Sequence, residues 1–80
     1  MRSLFKKPRK EKIHFYGIAY EHIYGKVRYK YYSYINGADG AWESTLDGAI
    51  EAGERHVKLI KYAYPGLPEH KQYKKEELEV

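Results

Sequence analysis

Two hydrophobic rhythms divide the chain. Between residues 13 and 35 apolar and polar positions alternate with a period of two; from Leu46 to Ile60 the apolar positions recur every three or four. The first rhythm predicts strands. Seven of the ten tyrosines fall in it, at 16, 20, 24, 29, 31, 32 and 34, and tyrosine suits a pleated, half-buried surface. Gly25 interrupts the run and predicts a hairpin: strand one over 13–22, a turn over 23–26, strand two over 27–35. In strand two Lys26, Arg28, Lys30, Tyr32 and Tyr34 share one face, and Val27, Tyr29, Tyr31, Ser33 and Ile35 the other. Strand one offers two candidate inner faces. Ile13, Phe15, Gly17, Ala19 and Glu21 are favoured, because Gly17 and Ala19 admit a helix closely. The set His14, Tyr16, Ile18, Tyr20 and His22 is the alternative.

Asn36-Gly37 and Asp39-Gly40 are turn dipeptides. A short third strand is expected over 41–44, with Trp42 as its buried anchor. The second rhythm, Leu46, Ala49, Ile50, Gly53, Val57 and Ile60, predicts an amphipathic helix capped by Ser44 or Thr45. Pro65-Gly66 ends it near Tyr64. The expected fold is α+β: a three-stranded antiparallel β-meander packed on one C-terminal α-helix (βββα). The domain spans 13–64, between a flexible basic arm at 1–12 and a charged tail at 65–80. That tail is expected to fray, with no more than a transient helical turn at 74–78.

Charge sharpens the picture. The chain has 80 residues, no cysteine and a net charge of +4. Residues 1–12 carry six Lys/Arg against one Glu; residues 13–37 carry three basic residues against one acidic, while the remainder is net negative. Such asymmetry suits a polyanionic partner. Without cysteine, disulfides and thiolate metal sites are excluded, which favours a cytoplasmic location. Apolar runs are far shorter than the ~20 residues a membrane span needs, and no secretory signal follows the basic N-terminus.

If the helix covers one face of the sheet, the other is free to bind. Cations neutralise phosphates, and tyrosine rings stack on bases. The expected function is therefore nucleic-acid binding, DNA favoured over RNA, through Lys6, Lys7, Arg9, Lys10, Lys26, Arg28, Lys30, Tyr32 and Tyr34. Gly25-Lys26-Val27-Arg28-Tyr29-Lys30-Tyr31 and the stretch Thr45 to Ala49 resemble small DNA-binding domains of the AP2 type and the arm-binding domains of tyrosine integrases. In those families the sheet enters the major groove and a helix packs behind it, so the resemblance implies duplex recognition by the sheet. Asp39 and Glu43 depart from a DNA-facing pattern. The alternative is a protein–protein interaction module or inhibitor, for example a phage or mobile-element accessory protein, that binds through its tyrosine-rich face. No motif of a hydrolase, nucleotide-binding loop or zinc site occurs, so no enzyme activity, metal or cofactor is expected. A monomer or a homodimer fits the length.

Overall fold

The structure is a computed structural model, described here for residues 11–78. Two strands, β1 (Tyr16–Ile23) and β2 (Lys26–Ser33), form an antiparallel hairpin. Tyr24 and Gly25 make the turn, both with positive φ, 50° and 75°. Two such residues match the right-handed twist of the flanking strands. The tight turn fixes the register: Ile23 faces Lys26, Glu21 faces Arg28 and Gly17 faces Tyr32.

One helix, α1 (Leu46–Ala63), follows. Thr45 is its N-cap, and the Gly48 N–H donates to the Thr45 hydroxyl at 3.0 Å. Ala49, Gly53, Val57 and Ile60 are its buried stripe, as the spacing predicts. They close on Phe15, Tyr16 and Ile18, with Tyr29, Tyr31, Ile35, Leu46, Ile50 and Tyr73 packed around.

The third strand is β3 (Lys74–Glu77), and it pairs parallel to β1. The sheet order is therefore β2-β1-β3, a mixed three-stranded sheet with one helix. The α+β sheet-and-helix architecture is the expected one. The all-antiparallel meander and the charged tail are corrected, because the tail supplies a strand. Its contacts begin before β3: the Ile13 N–H donates to Glu69 O (3.0 Å), and the Lys71 N–H to Ile13 O (2.7 Å). They continue to Leu78, whose N–H donates to Tyr20 O at 2.9 Å.

The third strand expected over 41–44 does not form; residues 38–43 instead run beside β2 as an irregular edge. Backbone bonds join Ser33 to Ala38, Tyr31 to Gly40, and Tyr29 to Glu43 in both directions. The bridges Tyr32–Asp39 and Tyr29–Glu43 show why no continuous strand forms. Between them β2 takes three residue steps and its neighbour four, the mismatch of a β-bulge.

The inner face of β1 is also corrected. A Cβ on Gly53 would collide with the ring of Tyr16, so the helix lies against Tyr16 and, by alternation, Ile18. The glycine that permits the close approach is on the helix, not the strand. Because β1 is central, its other face is covered too: Ala19 is fully buried and Glu21 nearly so.

Candidate binding face

The hairpin register puts Lys26, Arg28, Lys30, Tyr32 and Tyr34 on the side of the sheet away from α1, and with them Gly17, Ala19 and Glu21 of β1. Expected site residues on β2 therefore share one face. Lys6, Lys7, Arg9 and Lys10 lie outside the described residues.

The arrangement is charge-matched. The Arg28 guanidinium pairs with the Glu21 carboxylate, which is 8% exposed. Lys30 Nζ lies 3.4 Å from Asp39 Oδ2. Both cations also stand over the Trp42 ring, Arg28 at 4.4 Å and Lys30 at 4.9 Å from its centroid. Trp42 is half-buried and lies outside the core cluster. It serves as a platform for two cations instead of the expected core anchor.

The tyrosine end follows the same logic. Tyr32 and Tyr34 both donate to Glu76, Tyr34 to Oε1 at 3.0 Å. Their rings meet edge to face, with centroids 5.3 Å apart. Gly17 makes room beneath them, because a Cβ there would meet the Tyr34 hydroxyl and the Tyr32 ring. Lys74 Nζ lies 3.5 Å from Glu76 Oε1. Four cations (Lys26, Arg28, Lys30, Lys74) thus stand among three carboxylates (Glu21, Asp39, Glu76). Lys26, at the hairpin end, and Lys74 are both exposed.

Sequence reasoning did not single out Glu21, Asp39, Trp42 or Glu76 for this face. Glu21 was within reach, since a two-residue turn at Tyr24-Gly25 places it opposite Arg28. Glu76 carried no signal, because Lys-Lys-Glu-Glu has no strand character of its own.

On the helix side lies a second polar cluster, partly buried around the fully buried Tyr16. The Tyr16 hydroxyl donates to Glu54 Oε1 at 2.8 Å. Burial, then that hydrogen bond, hold its pKa far above the ordinary range. His70 stacks on Tyr16, with centroids 5.7 Å apart, and meets Phe15 edge-on at 5.6 Å. Among the described residues its Nε2 is buried without a hydrogen-bond partner, and burial pushes its pKa down. Among the described residues no three His, Asp or Glu side chains converge as a metal site, and no helix is long and apolar enough to cross a membrane. Compared with protein-family models, curated proteins and solved structures, the chain matches none.

Proposed function

We propose that this protein is a protein-binding module, and that it binds through the sheet face bearing Arg28, Lys30, Tyr32, Tyr34 and Trp42. One observation carries the reading. Of the residues on this face that suggested a phosphate-binding surface, Arg28, Lys30, Tyr32 and Tyr34 are engaged by Glu21, Asp39, Glu76 and Trp42. A phosphate chain laid on this face would meet three carboxylates. Arg28 already pairs with the nearly buried Glu21 carboxylate, so a phosphate would share the guanidinium with that carboxylate instead of meeting a free cation. A polypeptide meets no such conflict. Tryptophan, tyrosine and arginine are the side chains most enriched at the energetic centres of protein interfaces, and a mixed-charge surround is the usual rim. Tyr34 remains 41% exposed and Trp42 half-exposed, so the face still offers aromatic area.

Nucleic-acid binding is the second reading, favoured by the charge of residues 1–12, six Lys/Arg against one Glu. In that reading the arm residues Lys6, Lys7, Arg9 and Lys10 make the phosphate contacts, and DNA is preferred. The two readings separate in one experiment. Tagged protein is incubated with nuclease-treated lysate and the bound material identified, for the wild type and for Trp42→Ala and Tyr34→Ala. The protein reading predicts a polypeptide retained after nuclease treatment and lost with either variant. Retention that disappears with nuclease and ignores both variants would reverse the choice.

A further inference from the structure

The sheet face does not use the outer surface of α1. Leu59 is 67% exposed, and Tyr62, in the last turn of the helix, is 89% exposed. At 100° per residue Glu51, Arg55, Lys58, Leu59 and Tyr62 fall within an arc of about 100°, opposite the buried stripe. Asp47 borders this arc. All six are exposed. The arc is polarised along the helix: its carboxylates, Asp47 and Glu51, lie in the first half, its cations, Arg55 and Lys58, in the second. The helix dipole favours that order of charge. It gives no reason for Leu59 and Tyr62 to stand uncovered in the basic half.

We propose that this face pairs with a second copy of the chain, helix against helix and antiparallel, across a two-fold axis near residues 54 and 55. An isologous contact sets each surface against itself in reverse, so an acidic-to-basic helix face is complementary to itself only in the antiparallel sense. Glu51 of one copy then lies opposite Lys58 of the second. Tyr62 lies opposite Asp47, whose carboxylate accepts from a phenol. Arg55 falls beside the axis, flanked by Glu51 of either copy, and Leu59 gains cover. The 18-residue helix is about 27 Å long, at 1.5 Å per residue. One helix pair of that length buries less than the roughly 1,200 Å² of a stable standard interface, so the dimer is weak and concentration-dependent. Its mixed charge makes it weaker in high salt.

The test is sedimentation equilibrium on the full chain, from about 10 µM to 1 mM, in low and high salt. The wild type should shift reversibly from monomer to dimer with a dissociation constant of the order of 100 µM. Leu59→Arg should weaken association at least 10-fold. So should Glu51→Lys and Lys58→Glu, each of which sets like charges opposite one another. An equimolar mixture of those two variants should recover a heterodimer at near wild-type affinity, because both pairs between positions 51 and 58 are then of opposite sign. The positions are exposed, so circular dichroism should show all three variants folded. A wild type that stays monomeric at 1 mM, a dimer indifferent to Leu59→Arg, or two charge variants that fail to complement one another would each overturn the proposal.

Discussion

Single residues on this molecule have jobs that their neighbours define. Tyr24 is the clearest case, with a φ of 50° and 97% of its surface exposed. A left-handed backbone costs a tyrosine free energy, and no packing repays it there. Asparagine tolerates that conformation and is the preferred residue before glycine in a two-residue hairpin turn. Tyr24→Asn should therefore stabilise the fold by roughly 0.5–1 kcal/mol, read as a higher midpoint in urea with an unchanged slope. Arg28 is the opposite case. Its partner Glu21 is 8% exposed, so Arg28→Ala strands a carboxylate. The Arg28 side chain is itself 40% exposed, which lets water screen part of the loss, and about 1–3 kcal/mol is expected. Adding Glu21→Gln to Arg28→Ala should return much of that stability. Equal stability of the single and double variants would mean that the pair contributes little. The Arg28–Glu21 pair was legible in the sequence once the hairpin turn was assigned. How firmly the pairing holds Arg28 was not, because that depends on how deeply Glu21 is buried.

At the scale of elements, the hairpin and the helix follow from patterns strong enough to survive without tertiary context. The alternation in β2 and the three-to-four spacing in α1 each specify one face. Which side of β1 meets the helix was ambiguous for a physical reason. In a central strand both faces are buried, so Gly17 and Ala19 look as internal as Tyr16 and Ile18. Gly53 decides the matter, because its missing side chain is the seat of the Tyr16 ring. Gly53→Ala gains helix propensity of about 1 kcal/mol. It also forces a fully buried ring, tethered through its hydroxyl to Glu54, to move, and overpacking typically costs about 1–3 kcal/mol. The net effect should be destabilising, measured by chemical denaturation. A more stable Gly53→Ala variant would contradict the packing of α1 on β1. Strand β3 was the element least visible in sequence. Four charged residues have little β-propensity, yet such residues are well suited to a sheet edge, where charge discourages unwanted pairing.

Across the whole molecule, the segment from Glu69 to Leu78 closes the fold by lying along residues 13–20. His70 sits at the start of this closure, stacked on Tyr16, with Glu54 and Lys61 of the helix and His14 of the leading segment acting on its charge. Burial is the largest influence and lowers its pKa below the usual 6.5, with Lys61 and His14 adding to the shift and Glu54 opposing it. The folded state therefore holds the neutral ring more firmly than the unfolded chain does. This contribution to stability is complete above pH 6.5 and is lost as pH falls below it toward the folded pKa. His70→Phe keeps an aromatic ring between Phe15 and Tyr16 and removes both the titration and the unpaired Nε2. The variant should lose the His70 share of the acid-side decline, seen as a flatter plot of melting temperature against pH on the acid side of 6.5. An unchanged plot would exclude His70 as its source.

The same closure brings Glu76 onto Tyr32 and Tyr34 and completes the charge-matched face. If this face takes up a protein, as proposed, it does not track phosphates. The most direct measurement is fluorescence anisotropy of labelled single- and double-stranded DNA titrated with the full chain at several salt concentrations, for the wild type and for Lys30→Ala and Tyr34→Ala. Any affinity for DNA should reside outside this face, so that both variants leave the affinity and its salt slope unchanged. A steep slope, about −0.9 per phosphate on duplex DNA, that flattens by close to one phosphate in Lys30→Ala would place nucleic acid on the face and contradict the account.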